Sequence, residues 1–234
     1  MKQFLILLIG IVPIVLNAQQ TTVGRSIPES KDFIYDNVGR VVLLRSNYDI
    51  QGSPFFGDDY CHANLKAKSG LSYQGIKVKV NLEDNTVIYV DTTGKELVSI
   101  MPIEKIEFYD CEDASKNKTL ISGLPPVDKQ DASSFYVVLN SGNVSLLKYI
   151  QVIYTDKQNN YGNASIIRIY RQNELYYSYV QGKGITKLSK DTGSVLNALN
   201  NRQKEVSNYI TTNNIKCRKE ADLVKVFAYY NSLN

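Results

Sequence analysis

The run Ala63-Asn64-Leu65-Lys66-Ala67-Lys68-Ser69-Gly70, followed by Ile76-Lys77-Val78-Lys79-Val80-Asn81-Leu82, alternates apolar and polar residues with a period of two. Successive side chains of a strand point to opposite faces, so this pattern predicts two strands, each with one apolar face, joined at the Ser69-Gly70 turn. Downstream, Glu83-Asp84-Asn85 reads as a turn, residues 86–91 as a strand, and Thr92-Thr93-Gly94-Lys95 as a second turn. Residues 96–101 and 103–109 add two more strands, with Pro102 marking the break between them. Short strands joined by tight turns define an antiparallel meander.

Upstream, residues 33–35 and 41–45 are β-rich and flank an Asp36-Asn37-Val38-Gly39 turn, so the N-terminal β region runs over 33–111. Residues 112–133, polar and carrying Pro125-Pro126, read as a connector. A second β region spans 134–190. Its strands are 135–139, 144–148, 149–154, 166–171, 175–180 and 185–188, with Gln172-Asn173-Glu174 as a hairpin turn and 159–163 as a loop. From residue 191 the period becomes helical through Val195, Leu196, Leu199, Val206, Tyr209, Ile210, Leu223, Val224, Phe227 and Tyr230. Three short helices over 191–234 fit it, with Asn200 or Asn201 capping the second. The fold class is α+β: an antiparallel β meander, as a sandwich or partly closed barrel, with a C-terminal cap of about three short helices. Charged outward positions at Lys66, Lys68, Lys77 and Lys79 and the helical end argue against an outer-membrane barrel.

The chain opens with Lys2, an apolar run over 4–15 and a small-residue exit at Leu16-Asn17-Ala18. This is the pattern of a secretory signal peptide over 1–18, with cleavage between Ala18 and Gln19. The run is too short to span a bilayer and contains Pro13, so the processed chain is not expected to be an integral membrane protein. Residues 19–32 read as a mobile leader. The reading is therefore an exported protein, periplasmic or extracellular. Net charge is +4, falling to +3 once Lys2 is removed, too small to argue for nucleic acid. Three cysteines, Cys61, Cys111 and Cys217, allow one disulfide in an oxidising compartment. Cys61 and Cys111 are favoured because both lie near strand ends, with three buried free thiols as the alternative. No short Cys or Cys/His spacing suits a metal, and His62 is the only histidine. No cofactor is expected.

Asp191-Thr192-Gly193-Ser194 spells the tetrad of pepsin-like proteases, and Asp91-Thr92-Thr93-Gly94 resembles a damaged second copy. Two carboxylates sharing a proton would be required. A helix N-terminus at Asp191 and a hairpin turn at Asp91 explain both strings more simply. Asp58-Asp59-Tyr60-Cys61-His62 gathers acids, a thiol and an imidazole, but neighbours on a strand face opposite ways and cannot pair as nucleophile and base. Seventeen tyrosines and no tryptophan mark the chain. Tyr170, Tyr176, Tyr177 and Tyr179 lie along one predicted hairpin, whose exposed face is the expected binding surface. Asn117, Asn143 and Asn163 stand in N-x-Ser/Thr acceptor strings, which matter only outside bacteria.

Further strings occur together. They are Gly52-Ser53-Pro54-Phe55-Phe56, the 91–96 turn, Pro102-Ile103-Glu104-Lys105-Ile106-Glu107-Phe108, the 142–148 hairpin ending Leu146-Leu147-Lys148, and Asp222-Leu223 through Tyr229-Tyr230-Asn231-Ser232-Leu233. With the Asn17-Ala18-Gln19 exit, the set resembles a widespread group of exported proteins of unknown function in Bacteroidetes-type bacteria. The resemblance implies export and this layout, and brings no site residue. The functional expectation is a non-catalytic binding or envelope-associated accessory module, whose partner is an envelope protein or a glycan. The alternative is a hydrolase acting on glycans or peptides, with carboxylates such as Asp58, Asp59 or Glu83 as acid and base, since a pair distant in sequence leaves no local signature.

Overall fold

The computed structural model of the chain describes residues 33–35, 41–44, 48–158 and 166–233. The expected signal peptide with its Ala18/Gln19 cleavage point, the 19–32 leader, the 36–39 turn, the 159–163 loop and the Asn163 acceptor string lie outside the described residues. Strands β1 (Phe33–Tyr35) and β2 (Val41–Leu44) form a separate antiparallel pair.

Eleven strands build one mixed sheet. They are β3 (Tyr48–Gln51), β4 (Cys61–Ala67), β5 (Ser72–Asn81), β6 (Thr86–Val90), β7 (Glu96–Val98), β8 (Ile103–Tyr109), β9 (Thr119–Ile121), β10 (Tyr136–Asn140), β11 (Ser145–Gln158), β12 (Ile166–Val180) and β13 (Gly184–Leu188). Their order is β13-β12-β11-β10-β9-β8-β4-β5-β6-β7, and the ladder does not close on itself. All pairings are antiparallel except that of β3, which lies parallel to the start of β12. Three helices follow: α1 (Thr192–Ala198), α2 (Gln203–Thr212) and α3 (Glu220–Ser232). None of the described helices is long and apolar enough to cross a membrane.

The period-two run produces the alternation expected of it. Cys61, Ala63, Leu65 and Ala67 of β4 and Val78 and Val80 of β5 are buried, whereas Lys66 and Lys77 are exposed. These residues join Ile103, Ile106, Phe108 and Leu120 in one core, which also takes in Phe135, Val137 and Ile150. A second core lies between the sheet and the helices, where Val144, Leu146, Tyr176 and Leu188 meet Val195, Val206, Leu223, Val226 and Phe227. On the opposite face, Tyr136, Leu147 and Tyr177 pack beneath Leu124. Leu146 and Leu147 are both fully buried because each face of the strand is covered, one by helices and the other by the 122–134 segment.

Three sequence expectations change. Residues 112–133, read as a connector, contribute β9, which pairs with β8 and β10 and carries the sheet through. Gln172-Asn173-Glu174, read as a hairpin turn, continues β12 opposite Val152, Gln151 and Ile150, so 145–158 and 166–180 form two long strands. Turn-prone residues stay extended there because tertiary contacts hold them: Gln172 Nε2 donates to the carbonyls of Ser53 (3.0 Å) and Phe55 (2.9 Å), and Glu174 accepts from Lys148 (3.0 Å). Asn200 and Asn201 occupy a 3₁₀ turn ahead of α2, which has no side-chain cap.

The same 53–56 segment also bonds to the far side of the sheet. Phe56 N–H donates to the Val80 carbonyl (2.9 Å) and Leu82 N–H to that of Pro54 (2.8 Å). Gly52, at φ +75°, makes this path possible, since a Cβ there would lie 2.6 Å from the Tyr170 carbonyl oxygen.

Candidate binding cleft

Where the β12–β13 hairpin ends, the helical cap stands off the sheet and leaves a cleft of about 950 Å³. Its floor is Ser178 and Val180 of β12 with Gly184 and Thr186 of β13. Ser194 and Asn197 of α1, with Asn200 and Asn201 of the 3₁₀ turn, form one wall. Asn143 of the β10–β11 turn and Tyr230 of α3 form the other.

Each wall is fixed by defined side-chain hydrogen bonds. Asp191 Oδ1 accepts from Ser194 N–H (2.8 Å) and caps α1, while Ser194 Oγ accepts from Ser189 N–H (2.9 Å). The opposite wall is held by Asn231 of α3. Its Nδ2 donates to Asn140 Oδ1 (2.7 Å) and the Val144 carbonyl (3.0 Å), and its Oδ1 accepts from Val144 N–H (3.2 Å). Gly142 is required beside it, because an added Cβ would fall 2.3 Å from Asn231 Cγ.

A charged cluster fastens the start of α3 to the sheet. Lys148 Nζ donates to Glu174 Oε1 (3.0 Å) and Glu220 Oε2 (2.8 Å), and Tyr176 Oη donates to Glu174 Oε2 (2.8 Å) and Glu220 Oε2 (3.1 Å). Lys190 lies over the Tyr176 ring, 4.8 Å from its centroid. Burial pushes the Glu174 carboxyl upward, but the hydrogen bonds from Lys148 and Tyr176 outweigh it and hold the group below the ordinary glutamate range. Burial and the two carboxylates drive the Tyr176 hydroxyl well above the usual tyrosine range, so it remains a donor.

The cleft chemistry is polar, and Lys183 is an exposed cation at its lining with no ion pair among the described residues. Asn143, Asn197, Asn200 and Asn201 each bring a carbonyl acceptor and an amide donor, and Ser178 and Thr186 add hydroxyls. Lys187 is tied to Asp128 at 2.8 Å. Asp191 is the one carboxylate at the lining, and its Oδ1 is engaged in the helix cap. The arrangement offers a hydrogen-bonding surface, not the facing carboxylates of a glycosidase.

The sequence-derived candidates are dispersed. Tyr176 and Tyr177 are 2% and 0% exposed and face opposite cores, so neither ring is open to a ligand. This corrects the expected surface: a strand covered on both faces buries alternate rings on each side. Tyr179 is half-buried against Tyr177 and its neighbours. Tyr170 is half-buried and donates to Glu83 Oε2 (3.0 Å). Cys61 and Cys111 are joined by a disulfide, with Cα atoms 4.7 Å apart, and Cys217 is free and buried. His62 Nδ1 lies 3.4 Å from Asp110, not beside a thiolate. Asp58 and Asp59 line a separate recess of about 210 Å³ near the disulfide. Glu83 does not line that recess, which Asp58 and Asp59 share with Glu112 and Asp113. Asp91 closes the β6–β7 turn by accepting from the N–H groups of Thr93 (2.8 Å) and Lys95 (2.9 Å). Among the described residues, no group of three or more His, Cys, Asp or Glu is disposed to hold a metal.

Sequence reasoning missed the four asparagines of the cleft. The signal available was their density at 140–143 and 197–201, which is also the signature of turns and caps. The fold and cleft describe a mixed-sheet α+β protein with a helical cap. No protein-family model, curated protein or solved structure matches the chain.

Proposed function

We propose that the chain is an exported, non-catalytic binding module, of the kind suggested by its resemblance to exported Bacteroidetes-type proteins, and that the cleft under the helical cap is its ligand seat. The observation that carries this reading is the lining: four side-chain amides and four hydroxyl-bearing residues around about 950 Å³, with Lys183 exposed beside them and a single carboxylate already engaged in a helix cap. Such a surface suits a ligand rich in hydroxyls or amides, namely a glycan or the backbone of an envelope peptide. Export is supported by Lys2, the apolar run over 4–15 and the Ala18-Gln19 exit, and by the Cys61–Cys111 disulfide, which suits an oxidising compartment. A partly closed barrel for the β3–β12 portion is supported by the hydrogen bonds of residues 53–56 to both Gln172 and the β5 end.

Thermal-shift titration tests the reading, because a ligand bound to the native state raises its melting temperature. The purified protein is titrated with neutral oligosaccharides, peptidoglycan fragments and short peptides. A saturable rise with one class is expected, and it should disappear in the Asn197→Ala/Asn201→Ala double variant. No rise with any class, or one that survives the double variant, contradicts it.

A further inference from the structure

A second recess lies elsewhere on the sheet and differs in chemistry. About 680 Å³ is enclosed among the start of β6 and residues 99–104, 122–124 and 132–135. Val87, Ile103, Leu124 and Phe135 are buried residues in its lining, and Ile100 and Met101 form its lip at 58% and 37% exposure. Lys68 N–H bonds to the Pro102 carbonyl (2.9 Å), which places its backbone beside this lip. Two large exposed apolar side chains, Ile100 and Met101, at one opening mark a surface with an apolar occupant.

Most hydroxyls of this groove are committed, whereas the Oδ1 of Asn85 is buried without a hydrogen-bond partner. Ser99 Oγ donates to the Met101 carbonyl (3.0 Å) and Ser122 Oγ to that of Ile103 (2.6 Å). Of the two charged residues at the lining, Glu104 pairs with Lys66 at 3.4 Å, whereas Lys68 has no ion pair among the described residues. An apolar recess with one uncompensated cation at its rim is complementary to one apolar chain ending in an anion. We propose that this groove binds a free long-chain carboxylic acid, its chain between the Ile100–Met101 lip and Phe135 and its carboxylate on Lys68. A recess is what selects a single chain: its volume lies in the range of small-molecule sites, roughly 300–1,000 Å³, whereas a flat bilayer would meet only the lip residues. The groove shares no lining residue with the polar cleft, so the two proposals stand or fall separately.

Fluorescence titration with dansyl-undecanoic acid, kept below its micelle concentration, tests this. Saturable binding of one probe per chain is expected, displaced by palmitate and about tenfold less well by its methyl ester. Lys68→Glu should weaken binding by about tenfold or more. Ala132→Trp, a substitution at an exposed lining position, should abolish it with an unchanged melting temperature. Absence of saturable binding overturns the proposal. So does equal displacement by acid and ester, indifference to both substitutions, or binding seen only on phosphatidylglycerol vesicles.

Discussion

The two ends of the sheet close their cores by different means. In the β4–β9 portion, short strands with one apolar face gather around Ile106 and Leu120, and a disulfide ties the start of β4 to the residue two beyond β8. In the β10–β13 portion, the two long strands β11 and β12 and their short neighbours are covered by the helices that follow them in the chain. The cover is fastened by Phe227 and its neighbours, by the Asn231 bonds to the β10–β11 turn, and by the Lys148–Glu174–Glu220 cluster. Local alternation specifies β4 and β5 of the first arrangement, although not β9. The second depends on contacts spanning 87 to 91 residues between Asn231 and its partners, and it is the one that leaves a polar cleft.

If the helical cover depends mainly on its apolar face, Phe227→Ala should have the largest effect. Truncating a fully buried ring in that core should cost about 3–5 kcal/mol and lower the urea midpoint accordingly. Removing the disulfide with Cys61→Ala/Cys111→Ala releases residues 50 apart in sequence and should cost about 2–4 kcal/mol, again read from urea unfolding. A larger loss there than for Phe227→Ala would reverse the ranking of the two halves. Gly142→Ala should cost about 1–3 kcal/mol, because the new methyl displaces the Asn231 side chain 2.3 Å away. Its effect should not add to that of Asn231→Ala, and additivity in a double-mutant cycle would break the proposed clamp.

A smaller effect concerns acid. The folded-state value of Glu174 lies below its ordinary value of 4.5, so its contribution is fully present above that pH and is lost as pH falls through the lower folded value. Wild type should therefore exceed Glu174→Gln in stability at neutral pH. The difference should shrink as pH falls below 4.5 and through the lower folded value in urea melts. A constant difference across that range would remove the cluster from the account.

Legibility in the sequence follows the same division. The β4 and β5 alternation was readable because one face of each strand is wet, and the C-terminal helices because their apolar stripes repeat at helical spacing. The continuity of β12 through Gln172-Asn173-Glu174 was not, because Ser53, Phe55 and Lys148 supply the hydrogen bonds that keep turn-prone residues extended. Tyr176 and Tyr177 were misplaced for a related reason. Tyrosine is equally at home on an open face and under a helix, and only the packing of α1–α3 and the 122–134 segment decides between them. The cleft was invisible because asparagines at turns look alike whether they face water or a ligand.

The most direct measurement is hydrogen–deuterium exchange of the purified protein with and without the oligosaccharide or peptide that raises its melting temperature. The expected result is slowed exchange confined to residues 141–145, 178–187 and 192–202, the floor and walls of the polar cleft. Protection centred instead on residues 58–60 and 111–113, or release of a cleaved product during the incubation, would contradict a non-catalytic module that binds under its helical cap.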